Sequence, residues 1–124
     1  MKPRLLKGFT ATVDHVIYYP ELISSSDRPY SFIYFITIHN KSDVALTVKG
    51  RKWIVREEGG QVIVVEGDGV VGSFPYLEPG ESFSYNSCHK VGGCAMAEGA
   101  YLAITDEGTA VIAKIPPFEL ALPE

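Results

Sequence analysis

No helix can begin within reach of Gly72, and this removes the dinucleotide-binding fold that a Gly-x-Gly-x-x-Gly phrase would otherwise suggest. The stretch Gly67 to Tyr85, GDGVVGSFPYLEPGESFSY, holds Gly67, Gly69, Gly72 and Gly80 together with Pro75 and Pro79. A dinucleotide-binding glycine phrase joins a strand to a helix, whose first N–H groups then face the pyrophosphate. The upstream half fits, because Gln61 to Glu66 is a β-branched run. The downstream half does not. Pro75 and Pro79 follow at once, and Ser82 to Ser87 alternates polar and apolar as a strand does. The context of a Rossmann motif is missing. Two readings remain. The loop can form a nest of N–H groups that holds an anion without a helix. Alternatively, its glycines supply the positive φ that a turning or bulging strand needs.

The chain has 124 residues, the size of one domain and enough to bury a core without staples. Hydrophobic residues make up 46% and charged residues 21%, ordinary globular values. With 11 basic and 15 acidic residues the net charge is −4. That argues against a nucleic-acid binder, which needs excess Lys and Arg to displace counterions. The basic start, MKPRLLKGF, has no apolar run after it and does not read as a signal peptide. Phe32 to Ile38, the longest apolar stretch, is too short to span a bilayer. The expected location is cytoplasmic, with Cys88 and Cys94 reduced.

Residues 1–8 read as a flexible tail and residues 9–124 as a single domain. Phe9 to Tyr19 reads as a strand with Ala11, Val13, Ile17 and Tyr19 on one face. Pro20 to Pro29 is a loop. Tyr30 to His39 is the strongest strand, with Phe32, Tyr34, Ile36 and Ile38 on one face. Apolar on both faces at its start, it belongs at the centre of its sheet. Asn40 to Asp43 is a tight polar connection. Val44 to Glu57 is long for one strand, and Gly50 marks a bulge or break. Glu58-Gly59-Gly60 turns the chain into Gln61 to Glu66. Leu77 to Glu81 is a Pro-Gly turn, and Ser82 to Ser87 sends Phe83 and Tyr85 inward. Cys88 to Glu98 shows no period and reads as irregular. Gly99 to Thr105 and Ala110 to Ile115 form a last hairpin, and Pro116-Pro117 then stops pairing. About seven short strands without a helix predict an all-β sandwich or barrel. The length, with Trp53 as a natural core residue, suits an immunoglobulin-like or fibronectin type III-like β-sandwich.

Candidate sites are few. Cys88-His89-x4-Cys94, with Met96 nearby, offers three good soft ligands where a structural zinc wants four, so neither a metal nor a cofactor is expected. Cys88 and His89 are adjacent, and neighbours in a strand point to opposite faces, so they do not make a nucleophile and base. No catalytic residue is expected. His15 and His39 read as lone, hydrogen-bonded strand residues. Arg51, Lys52 and Arg56 surround Trp53, and regular alternation sends Trp53 in and Lys52 out. If the glycine loop folds back beside this strand, Arg51 or Lys52 adds charge to an anion site. The candidate anion-binding residues are therefore Gly67, Gly69, Gly72, Arg51 and Lys52. The plainer alternative is a solvated basic edge.

Five phrases stand in order along the chain: Arg51-x-Trp53-Ile54, Gly67-x-Gly69-Val70-Val71-Gly72, Pro75-x-Leu77-x-Pro79-Gly80-x-x-Phe83-x-Tyr85-x-Ser87, Gly99-x-Tyr101 and Ile115-Pro116-x-Phe118-x-Leu120. With that order and spacing the chain resembles the ApaG family over about Phe9 to Pro123. The family's Gly-x-Met-x-Gly-x-Tyr is altered here: Ala95, Ala97, Gly99 and Tyr101 take the matching positions and Met96 is out of register. The resemblance implies a fibronectin-type β-sandwich without known catalytic activity and a link to divalent-cation (cobalt and magnesium) efflux. It also implies a protein-binding role, as where the domain is fused to F-box proteins, and suggests pyrophosphate or nucleotide as ligand of the glycine phrase. The expected function is a non-enzymatic interaction module with a protein partner. The alternative is a pyrophosphate- or nucleotide-binding regulator. Neither nucleic acid nor membrane is an expected partner, and homo-oligomerisation through strand edges stays open.

Overall fold

Every regular element among the described residues of the computed structural model, 3–21 and 28–123, is a strand. They are β1 (Arg4–Leu5), β2 (Phe9–Tyr18), β3 (Tyr30–Asn40), β4 (Leu46–Glu57), β5 (Val62–Asp68), β6 (Tyr76–Leu77), β7 (Ser82–Val91), β8 (Ala95–Thr105) and β9 (Ala110–Leu120). Two sheets form a sandwich. The larger runs β1-β9-β8-β4-β5, with β6 also paired to β4, and the smaller runs β2-β3-β7.

The core is the inward row of each strand. Phe32, Tyr34, Ile36 and Ile38 of β3 meet Leu46, Val48, Trp53 and Val55 of β4 and Tyr101 and Ala103 of β8. Burying one large apolar side chain contributes about 1.5–3 kcal/mol, so these rows dominate the folding energy. β3 is central in its sheet, as its two apolar faces predict. β2 runs beside β9 and draws the sheets together on that side. The opposite side, between β5 and β7, is open.

Four stretches depart from the expectations. Residues 1–8 are not all tail, because Arg4–Leu5 pairs with Val111 and Ile112 in parallel. β2 carries a bulge between Val13 and His15. The extra residue reverses the alternation, so Val16 and Tyr18 pack on the core while Ile17 and Tyr19 are exposed. Cys88 to Glu98 is not irregular: β7 runs to Val91, three residues cross between the sheets, and β8 starts at Ala95. Glycines and small residues hid that alternation. Nor does Pro116-Pro117 end pairing. It forms a bulge, with Ile115 opposite Gly99 and Phe118 opposite Ala97, because a proline is tolerated where no ladder N–H is needed. Most of the Pro20 to Pro29 loop lies outside the described residues.

Other readings agree with the structure. Gly50 adjoins a register shift in the β4–β8 ladder. That shift makes Leu46 and Val48 inward in the first half of β4, and Arg51, Trp53 and Val55 inward in the second. The Asn40 to Asp43 connection is pinned by buried Asn40. Its Nδ2 donates to the carbonyls of Val44 and Leu77, each at 2.9 Å, and its Oδ1 accepts from the Ser42 hydroxyl at 2.6 Å.

Candidate functional site

Three features lie close together around β5: the glycine turn that follows it, its free edge, and the cleft beneath it.

The glycine turn is an excursion from the ladder. β5 pairs with β4 as far as Asp68 opposite Gly50, and the chain returns to the same strand as β6, with Tyr76 opposite Thr47. Between them the chain makes a tight hairpin. Val70 N–H donates to Ser73 O at 2.8 Å and Ser73 N–H donates back to Val70 O at 2.9 Å. Val71 and Gly72 at the tip have φ of 43° and 80°, the two positive angles of a type I′ turn. Gly69, at φ 64°, donates its N–H to Lys49 O at 2.7 Å, and a Cβ there would sit 2.4 Å from Ser73 O. The N–H groups of Gly69, Val70 and Ser73 are thus engaged by carbonyls rather than gathered into a nest. Val71 and Phe74 project from the hairpin, both more than half exposed.

Arg51 and Lys52 part company. The register shift beside Gly50 turns Arg51 inward, under the turn. Its Nη1 donates to Asp68 O at 2.9 Å and Gly69 O at 3.1 Å. The guanidinium lies flat on Gly67, where a Cβ would come within 2.7 Å of it. Lys52 points to the outer face and pairs with Glu66 across the strands at 3.4 Å. The structure therefore brings Gly67, Gly69 and Arg51 together, with the cation on the loop's carbonyls. It leaves Gly72 at the tip, while Lys52, on the outer face and paired with Glu66, lines a cavity of about 580 Å³ together with Arg51 and Gly67.

Among the described residues β5 ends its sheet with no strand on its outer side, and Arg28 donates to Gln61 Oε1 at 3.3 Å just before its start. Glu57 N–H bonds to Gln61 O at 2.8 Å, and Gly69 N–H bonds to Lys49 O. With this register, alternation directs the backbone groups of Val62, Val64, Glu66 and Asp68 away from β4. Val62, Val64 and Val65 are 56%, 55% and 39% exposed.

The cleft opens between β5 and β7 and has a volume of about 260 Å³. Its floor is Tyr34, Trp53 and His89, its β5 wall is Ile63 and Val65, and Arg51, Val55, Ser87, Cys88 and Lys90 also line it. Strand parity puts Ser87 and His89 inward with Phe83 and Tyr85. The His89 ring stacks on Tyr34 at 4.6 Å between centroids and meets Trp53 edge-on at 4.6 Å. Burial pushes its pKa down to about 4, so the ring is neutral at pH 7. Behind the cleft the hydroxyls of Tyr85 and Tyr101 share a short hydrogen bond. Burial raises the pKa of Tyr34, Tyr85 and Tyr101, so all three stay protonated. Among the described residues, Trp53 Nε1 and His89 Nε2 have no hydrogen-bond partner.

His89 thus points away from Cys88, and no group of three or more His, Cys, Asp or Glu side chains converges on a metal position among the described residues. His39 Nε2 lies 3.0 Å from Thr12 Oγ1, and exposed His15 packs edge-on against Phe35. No helix among the described residues is long and apolar enough to cross a membrane. Sequence reasoning treated Trp53 as core alone and did not find Tyr34, Ser87 or His89 as cleft residues. Carrying the alternation of Ser82 to Ser87 two residues further would have placed His89 inward.

Comparison with known proteins bears on the whole chain. Residues 20–104 match the model of the ApaG domain. Protein ApaG of Methylococcus capsulatus is 36% identical over 108 residues, which cover 86% of each chain. Protein ApaG of Stenotrophomonas maltophilia is 41% identical over 98 residues, covering 78% of this chain and 77% of that one. An X-ray structure of a structural-genomics target superposes with a TM-score of 0.84 at 31% identity, over 94% of this chain and 88% of that one. The crystal structure of an ApaA protein from Bordetella pertussis gives 0.81 at 30% identity, over 99% of both.

Proposed function

The chain belongs to the ApaG domain family, and we propose that it is a non-enzymatic binding module that takes an extended segment of a partner protein along the free edge of β5. One observation carries this reading. The Val62–Val65 half of β5 presents outward backbone groups and exposed valines, with no Lys, no Pro and no bulge. Free edges are normally blunted by such devices, because an unpaired row of N–H and C=O groups templates another strand. Added strands gain affinity from main-chain hydrogen bonds and specificity from alternate side chains. The valines favour a β-branched partner segment, and exposed Asp68 at the far end favours a basic residue opposite it. Any link to divalent-cation efflux would run through that partner. A pyrophosphate or nucleotide role for the glycine turn has less support, because Gly69, Val70 and Ser73 already engage their N–H groups.

The test is a photo-crosslinking residue at Val64 in the intact protein, in its own cells, with a control at Thr12 on the small sheet. The expected result is one protein captured from position 64 and not from 12. Bound to the purified protein, it should slow hydrogen exchange at Val62, Val64 and Glu66. Val64→Pro, which removes an outward N–H and no β4 bond, should abolish binding. Protection confined to other strands, or a partner that binds Val64→Pro equally well, defeats the proposal. Capture of a second copy alone would make β5 a dimer edge instead.

A further inference from the structure

We propose that the cleft between β5 and β7 is a binding site for a small monocarboxylate with a flat apolar body. The cleft shares Val65 with the β5 edge, but its polar groups Trp53, His89 and Arg51 lie between the sheets rather than along that edge. Three observations converge on it.

The first is unused hydrogen-bonding capacity. Trp53 and His89 are 1% and 9% exposed, yet Nε1 and Nε2 lack partners among the described residues, and both side chains line the cleft. A buried polar group without a partner costs about 1–3 kcal/mol, so groups like these are normally satisfied by something. Indole N–H is only a donor, and a neutral imidazole donates from one nitrogen. The indole N–H requires an acceptor, and the Nε2–H tautomer of His89 donates to the same ligand group.

The second is charge. Arg51 is the one cation lining the interior end of the cleft, and part of its donor capacity is engaged by Asp68 O and Gly69 O. Lys90 lies at the exposed rim. The three tyrosines nearby are neutral. Arg51 supplies one positive charge beside buried Trp53 and His89, while the charge of exposed Lys90 is screened by solvent, so a single inward carboxylate is the matching anion. Ser87 lies at the same wall with its hydroxyl against the Tyr34 side chain.

The third is shape. About 260 Å³ lies just under the range of small-molecule pockets, roughly 300–1,000 Å³. It is bounded by Ile63 and Val65 on one side and the rings of His89 and Tyr34 on the other. A planar ring fits such a slot better than a branched or charged body.

Trp53 is the only tryptophan, so it reports directly on the cleft. Benzoate is the probe, with benzamide as the neutral isostere and pyrophosphate as the polyanion. Benzoate should shift Trp53 emission saturably at millimolar concentration or below, and should move the indole N–H and Ser87 resonances. Benzamide should bind at least tenfold more weakly, and pyrophosphate should leave Trp53 unchanged. Arg51→Met should weaken benzoate at least tenfold. Because Arg51 also holds the turn, His89→Phe provides a second variant that fills the slot and should abolish the shift while the fold survives. No saturable change at tens of millimolar benzoate overturns the proposal. Equal binding of benzamide does so too, as do shifts confined to Gly69–Gly72.

Discussion

The turn after β5 and the cleft beneath it share one residue, Arg51, and use their donors in opposite ways. In the turn, the N–H groups of Gly69, Val70 and Ser73 all reach carbonyls within the chain, and Arg51 covers two further carbonyls. In the cleft, indole and imidazole nitrogens are buried and left over. The turn carries the phrase that looks like a ligand motif, while the cleft carries no motif. Glycine content therefore reports conformational need, and binding capacity has to be judged from which donors stay unengaged.

The comparison breaks most easily at Gly69. If the turn is purely conformational, Gly69→Val forces a β-branched residue into positive φ with its Cβ 2.4 Å from Ser73 O. The expected loss is about 3 kcal/mol or more. Gly72→Asn, in open space at the tip, should cost less than about 1 kcal/mol, since Asn tolerates this conformation. Urea midpoints of the two variants would separate these effects. Equal losses would mean that the glycines matter for something besides backbone geometry.

The cleft predicts a pH effect. The folded-state pKa of His89 is about 4, against an ordinary value of 6.5. As pH falls below 6.5 the unfolded chain takes up this proton first, so stability declines until pH 4 and then levels off. Full expression of the shift amounts to about 3 kcal/mol. His89→Phe should flatten the stability curve over that window relative to the parent protein. An unchanged slope would mean that His89 is solvated and the cleft wetter than its burial implies.

The smallest effect sharpens the reading of the turn. Val71 is β-branched and exposed at φ 43°. Val71→Asn would install the Asn-Gly pair that type I′ turns prefer and should raise stability by about 1 kcal/mol. A loss instead would show that the Val71 side chain makes a contact worth its strain.

Much of this architecture was legible before folding. Tyr30 to His39 alternates cleanly because one face must meet a core, and Gly50 signals the bulge because glycine accepts the local kink. Ile17 and Tyr19 were misread because a single bulge residue at Asp14 reverses every later side chain, and nothing in the local composition marks it. His89 was missed for the same kind of reason. Its parity depends on how far β7 runs, and that length is set by pairing with β3, not by the residues around Cys88.

An all-β chain, most of its turns and the exclusion of a helix next to Gly72 are written in the residues, because these follow from local backbone sterics. Folding set the rest: the glycine turn faces its own carbonyls, β5 is left at an edge among the described residues, and Tyr34, Trp53 and His89 meet across a gap. Those outcomes depend on which strands pair and how two sheets close on one side and not the other, and such long-range choices leave no mark at any single position.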